Sequence, residues 1–422
     1  MTVDVLSPPA PAERQARTAV AVLFFTNGAL FANLLPRFPQ IKADLGIGNA
    51  AYGLAVAAFP TGAIVAGLAA GALIRRYGSG RVAVAGTVLT GLGVLAAGLS
   101  GSVVLFATAL LLAGAMDAIT DVAQNAHGLR VQRRYGRSII NSFHAIWSIG
   151  AVTGGSIAAG AIALDLSLGQ HLLISAVVFG IAACVALRFC LTGPDTEPDA
   201  EAMKEEPKEE TNERAARETD AESRELASQR EEKLRKTRLR TGYVLAALVL
   251  IAASGALVED AGSSWAALYL SDSLHASGTL AASGYIALVG AQFVGRMIGD
   301  RLVDRFGQRT VARSGGLIAA VGMGLALAVP TATGTILGFA TAGFGVATLV
   351  PAAMHEADEL PGLKPGSGLT IVSWLMRLGF LLSPPIVGLV ADSTSLRVGL
   401  LVVPLAGLMV MVLAGVLQPR RR

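Results

Sequence analysis

The chain has 422 residues, 53% of them hydrophobic and 15% charged, with 34 basic and 30 acidic residues for a formal net charge of +4. Its mean hydropathy is +0.58. A water-soluble protein of this size needs a charged surface that this composition does not supply, so the chain reads as an integral membrane protein. The basic excess is no nucleic-acid signal, because the bases flank apolar runs. Cys184 and Cys190 fall in one apolar run, which excludes a disulfide framework or a thiolate metal site and leaves two buried thiols packing as small hydrophobes.

The first stretch, 1–17, is polar and proline-rich, and no cleavable signal is legible in it. Crossing ~30 Å of hydrocarbon takes ~20 helical residues. Apolar runs of that size predict twelve membrane helices, near 18–36, 50–74, 81–100, 102–127, 139–164, 168–191, 242–270, 278–301, 310–330, 333–355, 366–391 and 396–417. The expected fold is an all-α membrane protein with twelve transmembrane helices in two pseudo-symmetric six-helix bundles. The expected division is an N-terminal tail at 1–17, a first bundle at 18–191, a charged linker at 192–241, a second bundle at 242–417 and a basic tail at 418–422.

The linker is the one long polar stretch. Between Gly193 and Arg240 lie 15 of the acidic and 11 of the basic residues, a charge of −4 that leaves +8 for the remainder. Such a segment cannot bury enough apolar surface to fold alone. Opposite charges recur at i, i+4 in Glu210–Arg214, Glu213–Arg217 and Glu232–Lys236, which favours a charged helix. Its basic end, Lys233 to Arg240, is placed to meet anionic lipid headgroups.

Loop charge sets the orientation. Alternate loops carry Arg75, Arg76 and Arg81; Arg130, Arg133, Arg134 and Arg137; the linker bases; and Arg301, Arg305, Arg309 and Arg313. The opposite loops carry only Arg37, Lys42 and Arg397. Both termini and the linker are therefore expected in the cytoplasm of a cell that keeps the protein in its inner or plasma membrane. The halves also repeat: Arg76-Tyr77-Gly78 recurs 229 residues later as Arg305-Phe306-Gly307, and the same offset carries Gly150 onto Gly379. A repeated bundle is a transporter architecture, with the site near the midplane between the halves.

Gly299 to Arg309, with Asp300, Asp304, Arg305, Gly307 and Arg309, resembles the loop signature of the major facilitator superfamily. The first-half copy keeps Arg76 and Gly78 but has Arg75 where an acid is usual. The resemblance implies a gating loop at both places. Pro36 to Gly46, the Gly114–Asn125 run and Phe143 to Gly150 are similar to the MosC/YbjJ-like branch. So is the acid-then-Trp pattern of Glu259 and Trp265, with Ser264 standing where that pattern commonly has Asp. This branch implies transport of a small polar solute, sugar- or cyclitol-like. Drug-efflux members usually carry a Gly-Pro pair in the fifth helix and an Arg in the fourth; both are missing here.

The polar residues inside the apolar runs are the candidate site. Asp117, Asp121 and Asn125 recur every four residues and share a helix face. A carboxylate at that depth is costly unless it faces water, pairs or is protonated. It therefore marks either a substrate or proton-coupling group or a hydrogen bond between helices, with Asp117 foremost. Glu259 and Asp260 are adjacent, so at most one faces a cavity squarely, and the resemblance selects Glu259. Arg377 lies near mid-membrane and is suited to pair with Asp117 or to bind solute, whereas Arg296 and Asp300 at i, i+4 suggest a structural pair. Asn27 and Asn33 offer donors and acceptors, and His144 titrates in the useful range. Trp147, Trp265 and Trp374 are candidates for stacking on a sugar ring. Pro384-Pro385 predicts a kink.

The expected function is a secondary transporter, proton-coupled and monomeric, whose partners are a small-molecule substrate, protons and the lipid bilayer. No metal, cofactor or nucleic acid is expected, and no nucleophile–base constellation suggests an enzyme. Two alternatives stand beside it: proton-driven efflux of an amphiphile, and a membrane sensor or scaffold that keeps the fold without transporting.

Overall fold

A computed structural model describes residues 10–136, 139–193, 220–360, 362–364 and 367–417, without the side chains of 220–238. Among the described residues the secondary structure is helical throughout, with no strand. Twelve helices are long and apolar enough to cross a membrane: α1 (Pro11–Leu45), α2 (Asn49–Gly67), α3 (Ser79–Gly98), α4 (Val103–Tyr135), α5 (Ile140–Ala163), α6 (Leu168–Leu187), α7 (Leu239–Ser273), α8 (Gly278–Phe306), α9 (Gln308–Ala328), α10 (Ala332–Asp358), α11 (Ser367–Ser393) and α12 (Leu396–Val416).

Each coincides with an expected span, but several run longer. α1 continues through a 3-10 turn, Leu35–Arg37, into Phe38–Leu45. Pro36 and Pro39 sit in the first turn of each short segment, where a missing N–H costs nothing, so they restart the helix instead of opening a loop. Arg37, expected in that loop, is buried. The helix that contains α7 begins at Asp220. Between there and Thr241 there is no Gly or Pro, and the Glu, Lys, Arg, Ala and Leu residues all favour helix. The pairs Glu210–Arg214 and Glu213–Arg217, the side chains of Lys233 to Arg238, and the tail beyond 417 lie outside the described residues. In α11 the helix runs through Pro384-Pro385, and its interruption falls earlier, at Met376. Cys184 is exposed and Cys190 only half-buried, unlike the expected pair of buried thiols.

The 229-residue repeat is a repeat of packing. α1 packs on α5 as α7 packs on α11; α2 and α3 pack on α4 as α8 and α9 pack on α10; α3 packs on α6 as α9 packs on α12. The glycines at the shared offset serve the same purpose. A Cβ at Gly150 would stand 2.2 Å from the Phe25 carbonyl oxygen, and one at Gly379 would stand 2.4 Å from that of Ala253. Small residues at these crossings let backbones touch, the main source of helix association where lipid tails are as apolar as side chains.

The repeated loops match in detail. Gly78 has φ 87° and ψ 145°, and Gly307 has φ 81° and ψ 153°, a region essentially reserved for glycine. Each donates its N–H to a carbonyl four residues back, that of Ile74 (2.8 Å) or Val303 (2.7 Å). Beside them Arg76 lies over Tyr77 and Arg305 over Phe306. Gly307→Ala is therefore expected to cost about 1–3 kcal/mol. It should lower the apparent melting temperature measurably, whereas Gly290→Ala, where a Cβ meets open space, should not.

The chain leaving α6 is held by α4. His127 accepts the Leu191 N–H at Nε2 (3.1 Å) and bonds Ser79 Oγ through Nδ1 (2.8 Å). Arg130 donates to the carbonyls of Leu191, Thr192 and Gly193. These carbonyls belong to the non-helical segment after α6, whose backbone has no helical partners of its own and is satisfied from α4.

The halves meet through two symmetry-related pairs, α2 with α11 and α5 with α8. Polar ties gather at the end where α1 turns into α2. Lys42 Nζ pairs with Asp272 Oδ2 at 3.0 Å. Asp392 accepts the N–H groups of Asn49 (2.9 Å) and Ala50 (2.8 Å), capping the start of α2 from the opposite half. Tyr52 donates its hydroxyl to the Ser264 carbonyl (2.8 Å).

Candidate functional site

A cavity of about 280 Å³ lies between the halves. That is just under the range of ~300–1,000 Å³ typical of small-molecule sites. α1 contributes Asn27 and Phe31, α2 Phe59 and Pro60, α4 Asp117 and α5 Trp147. From the other half come Glu259, Asp260, Ser263 and Ser264 of α7, Tyr285 of α8, and Arg377 and Phe380 of α11. Five of the residues selected from sequence, Asn27, Asp117, Trp147, Glu259 and Arg377, thus meet in one place.

The first-half wall is organised by Asn27. Its amide donates to Asp117 Oδ1 at 2.7 Å. Its carbonyl oxygen accepts Trp147 Nε1–H at 2.9 Å and the Gln124 amide at 3.3 Å. Both ends of one buried amide are therefore used, which fixes its orientation and that of the Trp147 ring against the cavity. Gln124, which the sequence reading missed, also reaches Asp121 Oδ1 at 3.5 Å. Its signal was available: it stands seven residues after Asp117, two helical turns along the same face. The Asn125 side-chain amide nitrogen donates to Asp121 Oδ1 (3.0 Å) and to the Asp121 backbone carbonyl (2.8 Å), so this asparagine positions Asp121. Asp121, Asn125 and the exposed His144 do not line the cavity. The His144 ring meets Phe24 edge-on.

The second-half wall is divided. Glu259 Oε2 accepts from Gln292 at 2.6 Å and pairs with Arg296 at 3.5 Å. Arg296 was expected to pair with Asp300 on its own helix; it turns to α7, while Asp300 is exposed to solvent screening. A cation gains more from an acid removed from water than from one in it. Ser264 donates to Asp260 Oδ1 at 3.4 Å, one turn back on the same helix. Arg377 reaches the cavity wall with no ion-pair partner among the described residues, Asp117 included.

Other candidates lie elsewhere. Asn33 is fully buried, donating to the Ala29 carbonyl (2.7 Å) and bonded to His171 (2.9 Å) and Ser175 (3.2 Å). Trp265 is fully buried against Tyr52, with ring centroids 5.0 Å apart, and Trp374 is half-exposed; neither lines the cavity. Among the gating-loop residues, Asp300, Asp304, Arg305 and Arg76 are exposed. Arg309 donates from Nε to the Leu417 carbonyl (2.9 Å), tying the loop to the end of α12. A wall of aromatic and aliphatic side chains interrupted by a few fixed polar groups can orient a polar solute while excluding bulk water.

Comparison with known proteins gives a consistent result. The Major Facilitator Superfamily profile matches residues 20–364 and 262–422. The chain is similar to the transporter y4wD of Sinorhizobium fredii, 28% identical over 399 residues and covering 94% of this chain and 97% of that one. It is similar to the membrane protein MosC of Rhizobium meliloti, 26% identical over 400 residues and covering 95% and 89%. Among solved structures, the nucleoside transporter NupG superposes with a TM-score of 0.68 at 12% identity, covering 96% of this chain and 99% of that one. A D-xylose-proton symporter superposes with 0.67 at 17% identity, covering 95% and 96%. With the profile spanning both halves and the twelve helices arranged as in these transporters, the chain belongs to the Major Facilitator Superfamily.

Proposed function

We propose that the protein moves a small polar solute, sugar- or cyclitol-like, by alternating access and draws its energy from a proton gradient. The observation that carries this reading is a cavity to which both halves contribute charged side chains, Asp117 from one and Glu259, Asp260 and Arg377 from the other. A site split between two bodies changes its exposure when the bodies rock, and a proton on one of its acids changes the relative stability of the two states. Asn27, Asp117 and Arg377 supply the hydrogen bonds a hydroxylated solute needs, and Trp147 supplies a flat face. The loop charges support a cytoplasmic position for both termini, in the inner or plasma membrane.

A thermal-shift panel of sugars, cyclitols, nucleosides and amphiphilic drugs on the purified protein tests the substrate class. Uptake of the stabilising solute into proteoliposomes with and without a pH gradient tests the coupling. The expected result is stabilisation by a polyol and uptake that depends on the gradient. Stabilisation by amphiphiles alone favours a second reading, export of an amphiphile, for which the apolar α2 wall of Val56, Phe59, Ala63 and Ile64 is the supporting feature.

A further inference from the structure

The two adjacent acids of α7 have opposite surroundings. Glu259 has an amide and a guanidinium on one oxygen, so its charge is matched and its position fixed. Asp260 Oδ1 accepts a long 3.4 Å bond from Ser264. Its Oδ2 is enclosed and has no hydrogen-bond donor among the described residues. Ser383 of α11 stands beside it as a second hydroxyl neighbour, shared with the Leu257 carbonyl (3.4 Å). The Tyr52 hydroxyl of α2 is likewise given to a carbonyl, that of Ser264. The remaining titratable groups of the cavity are Glu259 on the same helix, Asp117 of α4, Tyr285 of α8 and Arg377 of α11.

A buried acceptor without a donor costs about 1–3 kcal/mol, and more if it is charged. An acid with a purely structural role would have been given donors, as Glu259 was. One that must gain and lose a proton needs an oxygen that no donor holds, on a residue at the cavity: Asp260 lines the cavity, and its Oδ2, enclosed in this state, meets water when the halves rock.

We propose that Asp260, rather than Glu259, is the carboxyl through which the second half exchanges a proton with the cavity. The proton sits on Oδ2 in the state seen here, where no side chain competes for it, and leaves to water when a solute hydroxyl donates to that oxygen in its place. Glu259, Gln292 and Arg296 then form the fixed frame that aims α7 at the cavity. The proposal rests on reading the cavity as a proton-coupled transport site. Its test is independent of the solute.

The full chain in lipid nanodiscs is treated with dicyclohexylcarbodiimide, which adds to protonated carboxyls in apolar surroundings. The carboxyl proton moves to a carbodiimide nitrogen, the oxygen bonds the central carbon, and the whole reagent is retained. Peptide mass spectrometry of the unmutated protein at pH 7 is expected to find the label on Asp260 at least about tenfold over Glu259, declining as the pH is raised. Asp260→Asn should lose that label and keep its melting temperature, whereas Glu259→Gln should melt earlier because Arg296 loses its partner. Label on Glu259 in place of Asp260, or a pH-independent yield, overturns the assignment. The uptake experiment above separately decides whether the site transports at all.

Discussion

Asp117→Asn is expected to abolish accumulation of the transported solute while leaving the protein folded. The substitution keeps the shape of the side chain and an acceptor oxygen for the 2.7 Å bond from Asn27, and Asn27 remains held by Trp147 and Gln124. What it removes is the ability to carry a proton. Each tenfold step in a concentration ratio is about 1.4 kcal/mol, so a two-unit pH gradient can drive at most about 100-fold accumulation per proton. In proteoliposomes the variant should equilibrate its solute to a ratio near one, with an unchanged melting temperature. Normal accumulation would remove Asp117 from the coupling role. Loss of both transport and thermal stability would make the Asn27–Asp117 contact a structural tie between α1 and α4.

The second large effect is expected at the contact of α2 with α11. A Cβ at Gly53 would stand 2.2 Å from the Pro384 carbonyl oxygen, and backbone cannot move aside as a flexible side chain can. Gly53→Val must therefore push the halves apart at the end where Lys42 pairs with Asp272. Overpacking of this kind costs about 1–3 kcal/mol, which favours the opposite state by about 5- to 150-fold. The chain has only two cysteines, Cys184 and Cys190, which simplifies the measurement. With both replaced by Ser, Lys42→Cys and Asp272→Cys should cross-link readily in the parent and several-fold less with Gly53→Val added. Equal cross-linking in the two would mean that this crossing does not close the end.

The number and order of the spans were legible because a bilayer imposes a length of apolar chain, and nothing downstream can relax that demand. The cavity residues were partly legible for a related reason. A polar group inside an apolar run costs free energy, so Asn27, Asp117, Glu259 and Arg377 stood out one by one. That cost does not reveal how it is met. Asn33 looked like Asn27 in sequence, yet it is bonded to His171 and Ser175 in another helix. Glu259 and Asp260 could not be told apart by spacing, since their difference comes from Gln292 and Arg296 on α8. Trp265 matched a pattern but was buried by Tyr52 of the other half.

The sequence alone determined the twelve helices, the two repeated halves, the glycines at their turns and a short roster of costly polar residues. Those features depend on local conformation and on transfer from water to lipid, which each segment experiences by itself. Only the tertiary structure decided which of the roster share a cavity, which acid received a cation and which was left with a bare oxygen, and which end of the molecule is tied shut. Each of these depends on helices far apart in the chain crossing at a given height and rotation, and a helix carries no record of its neighbours beyond the small residues that let them approach.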